Sequence, residues 1–232
     1  MSSLAERLAE VRQRIEAAAA QAGRSSSEIQ LIVVTKNHSP ELVKSLYDLG
    51  ARDFGENRDQ EAGPKARELQ TLLQASGEPD PAVWHFVGQL QSNKVKNVLS
   101  YASTLHSLDR ASLLRELCKQ LDRLDCKLEC FIQLNLTDDS NRGGVEPKNL
   151  VQFAEAVLLC ERVNLLGLMA VADPKQEPER EFARVVSARE VLLSISPTSD
   201  KLSIGMSGDF EQAIRQGATH LRIGSAITQS VD

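Results

Sequence analysis

The stretch LIVVTKNHSP, residues 31–40, decides how the rest of the chain reads. Leu31, Ile32, Val33 and Val34 form an unbroken, mostly β-branched run, the pattern of a strand buried on both faces of a parallel sheet. Ser39, Pro40 and Glu41 then supply an N-cap, a first helical position and an acid in the first turn. Lys36 therefore falls at the carboxyl end of a buried strand, just before a strand-to-helix loop. An amine in that place asks for a chemical reason.

Outward from this stretch the same grammar repeats. Strand patterns occupy 31–35, 52–54, 83–87, 104–107, 127–134, 165–171, 201–204 and 220–223. Helical patterns lie near 40–49, 57–74, 91–99, 109–124, 147–160, 176–194 and 208–216, so each strand but the last is followed by a helix. A further helix opens the chain: Ser3 and Glu6 have capping-box spacing, Leu4, Leu8, Val11 and Ile15 share a face, and Gly23 ends it. This is the rhythm of a (β/α)₈ TIM barrel with an extra N-terminal helix. A doubly wound sheet has the same rhythm, and periodicity alone does not separate the two.

The 232 residues are 41% hydrophobic and 25% charged, with no Gly/Ser- or Pro-rich linker, which favours one α/β domain over residues 1–232. A net charge of −5 argues against nucleic acid as partner. The N-terminus has no signal-peptide pattern and no apolar run is long enough to span a bilayer, so a cytoplasmic protein without membrane association is expected. Cys118, Cys126, Cys130 and Cys160 lack CxxC spacing and are expected to be reduced packing residues. No His/Cys/Asp/Glu cluster has metal-ligand spacing, so no metal is expected, and His38, His106 and His220 read as structural. Lys94 and Lys96 read as a solvated helix face.

In a barrel the chemistry sits at the carboxyl ends of the strands. Lys36 ends the first, FGEN (54–57) closes the second, His85 lies in the third within WHFVGQLQSNK, and Asn135 begins the loop after the fifth. GMSGDF (205–210) follows the seventh strand, and RIGSAI (222–227) spans the end of the eighth. Phosphate sites in such barrels are often built from these last two loops. Ser207 and Gly208 with Gly224 and Ser225 can bring N–H and hydroxyl donors together, the glycines letting backbone approach a ligand oxygen. Strand one neighbours strand eight on closure, so Lys36 points into the same mouth. It reads either as a counter-charge to the phosphate or as the amine of a Schiff base to an aldehyde cofactor.

The segments VVTKNHSP, FGEN, WHFVGQLQSNK, HSLDR, GLMAVAD and LSIGMSGDFEQAIRQGATHLRIGSAI together resemble the YggS/PROSC family of pyridoxal phosphate homeostasis proteins, in order from residue 31 to 227. The resemblance implies a fold-type III barrel like the N-terminal domain of bacterial alanine racemase. It also implies pyridoxal 5'-phosphate (PLP) as cofactor, held as a covalent aldimine at Lys36. By the same resemblance Ser207, Gly224 and Ser225 match phosphate-binding positions and Arg222 the arginine facing the pyridine nitrogen. Asn57 matches a side chain beside the cofactor, and Met206 and His85 match pocket walls. The sequence departs at Gln89, where a histidine is common, at Arg58-Asp59, which replace Tyr-Val, and at Arg142, which replaces a lysine.

Two functional classes compete: a PLP-binding protein of vitamin B6 homeostasis, with apo-PLP enzymes as recipients, and a PLP-dependent amino-acid racemase. An arginine at the pyridine nitrogen weakens the ring as an electron sink, and Tyr47 and Tyr101 lie in or beside helical segments. The racemases use a second, C-terminal domain that also dimerises them, and only seven residues follow Ser225. The expectation is therefore a monomeric carrier, without catalysis, that indirectly affects amino-acid and keto-acid balance. A Schiff-base aldolase fits less well, because its lysine usually sits on the sixth strand and LLGLMAV has none.

Overall fold

The computed structural model describes residues 2–77, 80–137, 143–173 and 175–229; Arg142 lies outside them. The chain enters through α1 (Leu4–Gln21), whose Ser3–Glu6 capping box is closed in both directions. Leu8, Val11, Ile15, Ala18 and Ala19 turn one face of α1 inward. At its end Gly23 takes φ +68°, the left-handed conformation that a side chain resists.

Eight strands follow: β1 (Gln30–Val34), β2 (Asp53–Glu56), β3 (Val83–Phe86), β4 (Thr104–Leu108), β5 (Leu128–Gln133), β6 (Val163–Met169), β7 (Lys201–Ser203) and β8 (His220–Ile223). All pair in parallel and in sequence order, and β8 returns to β1, closing a barrel. Closure settles the alternative left open by periodicity, since a doubly wound sheet keeps two edges. The long helices around it are α2 (Pro40–Asp48), α3 (Asp59–Ala75), α5 (Ala111–Leu124), α6 (Leu150–Leu158) and α7 (Pro178–Leu193). Two are shorter than their sequence patterns. A 3₁₀ turn at Ser92–Lys94 precedes the single turn α4 (Val95–Val98), and another at Pro147–Asn149 leads into α6.

After β7 comes α8 (Phe210–Arg215), and after β8 comes α9 (Ser225–Thr228), a single turn where no helix was expected. A four-residue turn is too short to show a period of 3.6, which is why the pattern missed it. Helix α1 packs beside both. Arg7 Nε donates to the Ile227 carbonyl at 2.7 Å, and Arg14 pairs with Glu211 at 2.6 Å. The extra helix thus braces the two short helices that follow the last two strands.

The cysteines depart from expectation. Cys118 on α5 and Cys160 just beyond α6 form a disulfide, with Cα atoms 6.0 Å apart, while Cys126 and Cys130 stay free. Forty-two residues separate the pair in sequence, a spacing that carries no motif. Only the placement of α5 and α6 around the barrel brings the sulfurs together. No helix among the described residues is long and apolar enough to cross a membrane.

Candidate functional site

The side of the mouth that matters here, at the carboxyl ends of the strands, is built from the loops after β1, β2, β3, β7 and β8. β1 ends at Val34, and Thr35 still donates its N–H to the Gly55 carbonyl of β2 at 3.0 Å. Lys36 lies in the turn that follows, one residue beyond the ladder, with Asn37 in a left-handed conformation at φ 64°. Its side chain is exposed, not buried among apolar neighbours. Thr35, fully buried and bonded to β2, therefore fixes the backbone from which Lys36 extends.

Beside Thr35 sits a buried ion pair that sequence reading did not anticipate. Lys65 Nζ on α3 donates to Glu56 Oε1 at 2.6 Å and to the Thr35 carbonyl at 2.8 Å; the Thr35 hydroxyl donates to the same carboxylate oxygen at 2.8 Å. Glu56 is fully buried and Lys65 5% exposed. The three groups tie the end of β1 to the end of β2 and to α3. They occupy Lys65, so among the described residues Lys36 is the free amine of this corner. The positions lie far apart in sequence and share no pattern, so no sequence signal could have joined them.

Asn57 follows β2. It does not cap α3, whose N-cap is Arg58 without a side-chain hydrogen bond. Its Oδ1 is buried and has no partner among the described residues. A Cβ on Gly88, in the loop after β3, would run into the Asn57 backbone, so the two loops are in direct contact.

The last two loops meet. The Ala226 N–H donates to Ser207 Oγ at 3.2 Å, and Met206, 37% exposed, donates its N–H to Asp209 Oδ1 at 2.6 Å. A Cβ on Gly224 would lie 3.3 Å from both the Cβ and the carbonyl oxygen of Val34, two residues before Lys36. Glycine there keeps the β8 loop close against the end of β1, leaving Ser225 exposed and Ser207 half-buried beside it. The structure thus brings Lys36, Ser207, Gly224 and Ser225 to one side of the mouth, as the strand ends implied.

Arg222 lies beneath them on β8, 5% exposed and in register with Ile32 of β1. Its Nη1 donates to the Ser203 carbonyl and hydroxyl at 2.5 and 2.6 Å, and its Nη2 to the Ala170 carbonyl at 2.9 Å. Burial pulls the guanidinium down to about 10, which leaves it charged at neutral pH, with the Asp209 carboxylate supporting the charge. A buried cation held chiefly by carbonyl and hydroxyl dipoles suits an acceptor presented from the mouth.

His85 sits lower than the expected pocket wall. It is 2% exposed, with Nδ1 3.0 Å from His106 Nε2 and Nε2 3.1 Å from Asp53 Oδ1 at the opposite, amino end of β2. Both ring nitrogens are used inside the barrel. The resemblance had implied a pocket wall; the ring instead points into the barrel, below the mouth. Tyr47 on α2 is 1% exposed, with its hydroxyl donated to the Asp80 carbonyl at 2.6 Å. Tyr101 is half-buried next to α3, and burial, then Asp59 and Glu56, pushes its phenol upward. Among the described residues no group of three His, Cys, Asp or Glu is arranged to hold a metal ion.

The orphaned Asn57 Oδ1, the close approach of the Gly224 backbone to the end of β1, and the buried arginine charge fit a phosphorylated pyridine aldehyde better than a metal. Comparison with known proteins agrees with this geometry. Residues 7–230 match the family model described as alanine racemase, N-terminal domain. The chain is 37% identical to the pyridoxal phosphate homeostasis protein of Pseudomonas aeruginosa over 98% of its own length and 95% of that protein. It is also 37% identical to the protein of the same name from Escherichia coli, over 98% and 96%. PipY of Synechococcus elongatus, solved with PLP bound, superposes with a TM-score of 0.84 at 31% identity, covering 98% of this chain and 100% of that one. On this identity and coverage, the chain belongs to the pyridoxal phosphate homeostasis proteins, a family built on the alanine racemase N-terminal barrel.

Proposed function

We propose that this protein binds PLP and holds it for intracellular vitamin B6 homeostasis, with apo-PLP enzymes as recipients, and that it does so as a cytoplasmic monomer whose whole chain is one binding domain. The observation that carries the reading is the close approach of Gly224 to Val34, two residues before the exposed Lys36, with the Gly224-Ser225 loop bonded in turn to Ser207. Lys36 would hold the cofactor through its aldehyde. Ser207, the Gly224 backbone and Ser225 would hold the phosphate, Arg222 would face the ring nitrogen, and Asn57 and Met206 would stand beside the ring. When bound, PLP supplies an electron sink.

The racemase alternative asks for two things this arrangement does not favour. A donor that stays charged, as Arg222 does, keeps the ring nitrogen unprotonated and weakens the sink. A second acid/base is needed opposite the lysine, yet the Tyr47 hydroxyl is occupied away from the mouth and the Tyr101 phenol is pushed further from the useful range. Each such group typically contributes ~10²–10⁴-fold. Incubation of PLP-loaded protein with L-alanine and other L-amino acids in deuterated water is expected to exchange amine partners stoichiometrically without α-deuterium incorporation. Catalytic α-proton exchange well above that of free PLP, lost in Lys36→Ala, would make the protein an enzyme.

The phosphate loops give a second test. Gly224→Val places a Cβ 3.3 Å from both the Cβ and the carbonyl oxygen of Val34, with two further methyls to fit beyond it. Overpacking of that kind costs about 1–3 kcal/mol, or very roughly 5- to 150-fold in affinity if it falls on the bound state. PLP titration should show weakened binding, and pyridoxal without phosphate should bind poorly to the unsubstituted protein. Equal affinity for the two would contradict the assignment.

A further inference from the structure

The barrel interior carries a hydrogen-bonded file that the binding site does not require. Arg222 Nη1 donates to Ser203 Oγ at 2.6 Å, and Ser203 Oγ lies 2.8 Å from His106 Nδ1. His106 Nε2 lies 3.0 Å from His85 Nδ1, and His85 Nε2 lies 3.1 Å from Asp53 Oδ1, which also accepts from Gln30 Nε2 at 2.7 Å. The file crosses β8, β7, β4, β3 and β2. Its members from Ser203 to His85 are at most 2% exposed. Asp53 is half-buried and lines an open cleft at the amino end of the strands, with Arg52, Lys201 and His220.

The carboxylate fixes the direction of the first bond, and neutral imidazoles carry it through the rest. Asp53 can only accept, so His85 Nε2 carries a proton. With neutral imidazoles His85 Nδ1 then accepts from His106 Nε2–H, His106 Nδ1 accepts from the Ser203 hydroxyl, and Ser203 Oγ is left to accept from Arg222. Burial first, with Arg222 adding its positive field, holds His106 well below the ordinary histidine value and keeps it neutral. Phe131 stacks on His106 at 4.7 Å between ring centroids, and His220 stands edge-on to Phe131 at 4.9 Å, so the rings cannot turn to other partners without repacking the core.

We infer that Asp53, His85, His106 and Ser203 are a positioning relay, which transmits the charge of Asp53 at the amino mouth of the barrel to the guanidinium of Arg222 beneath the cofactor and so sets how strongly Arg222 donates to the ring. The cofactor half of this inference rests on the proposed PLP site, while the relay itself stands on the geometry of the interior. Charge-assisted bonds in a chain polarise one another, and a low-dielectric core preserves the effect. Replacing the carboxylate by an amide removes the charge and keeps the acceptor, because Gln30 and His85 meet on the one oxygen, Oδ1. In Asp53→Asn the amide oxygen still accepts from His85 Nε2, so each imidazole proton stays on its nitrogen. The file keeps its direction and loses the charge that polarises it.

Two spectra test this. In the unloaded protein, imidazole ¹⁵N correlation spectra should show His85 and His106 both protonated at Nε2, and Asp53→Asn, which keeps the acceptor, should leave both there. In protein loaded with ¹⁵N-PLP, Asp53→Asn should displace the pyridine ¹⁵N resonance while the borohydride-stable adduct at Lys36 persists, and Asp53→Glu should return it toward its original position. A purely structural role for Asp53 would change thermal stability but not the ring resonance. Protonation of His106 at Nδ1 in the unsubstituted protein, or an unmoved pyridine resonance in Asp53→Asn, overturns the relay. The expected tautomers with no Lys36 adduct would instead sink the proposed PLP site and, with it, the relay's action on the ring.

Discussion

Lys36→Ala should abolish the visible absorbance of the PLP-loaded protein and the borohydride-stable mass adduct, while leaving the barrel folded. The two halves of this expectation come from one observation. Lys36 stands in the turn beyond β1 with its side chain exposed, so truncation removes little packing. Exposed substitutions of that kind usually change stability by less than about 0.5 kcal/mol. The covalent link depends on the amine alone. The neighbouring Lys65 is not placed to replace it, because its ammonium is buried between Glu56 Oε1 and the Thr35 carbonyl. Weaker, noncovalent binding through the Ser207 and Gly224-Ser225 loops should survive, visible as a PLP-dependent rise in thermal midpoint without the band. Absorbance, mass spectrometry after borohydride and thermal denaturation of both proteins decide the matter. A variant that keeps the band and the adduct ends the assignment of Lys36.

Much of this was legible in LIVVTKNHSP and its repeats. A parallel strand covered on both faces needs an apolar run, and a strand-to-helix loop needs a cap, so both leave local marks. Ser39 does accept from the Leu42 N–H, and Pro40 does open α2. The mouth residues were legible for the same reason: they follow strands at fixed offsets, and barrel closure places offsets from β1 and β8 side by side. What was not legible is whatever depends on height within the barrel or on contacts across it. His85 alternates inward as its strand requires, yet nothing in VWHF says that its partners are Asp53 below and His106 beside it. Ser203, His106 and His220 read as ordinary strand residues until the barrel stacks them. Glu56 with Lys65, and Cys118 with Cys160, are likewise products of helix placement and not of spacing.

The same stacked interior sets the protein's acid limit. His106 and His220 are both held neutral in the folded state, chiefly by burial; His220 is lowered to about 3 and His106 lies well below its ordinary value. In the unfolded chain each titrates near 6.5. Above that pH neither state binds the proton, so the difference contributes nothing. As pH falls below 6.5 the unfolded chain takes up protons that the folded barrel refuses, and stability drops by about 1.4 kcal/mol per pH unit for each group until its folded value is reached. Over the two units from pH 6.5 to 4.5 His220 alone removes about 2–3 kcal/mol and His106 adds a loss in the same direction, against a whole stability of about 5–15 kcal/mol for a typical domain. Urea unfolding is therefore expected to show stability falling steeply across this window. His220→Gln, which cannot titrate, should flatten the slope by roughly 1.4 kcal/mol per pH unit even if it lowers stability at pH 7. Carboxylates add their own losses at lower pH, and they add them equally to both proteins, so the difference between the two slopes isolates the imidazole. Parallel slopes from pH 6.5 to 4.5 would show that His220 charges in the folded barrel, and that the interior is far more open to protons than its packing implies.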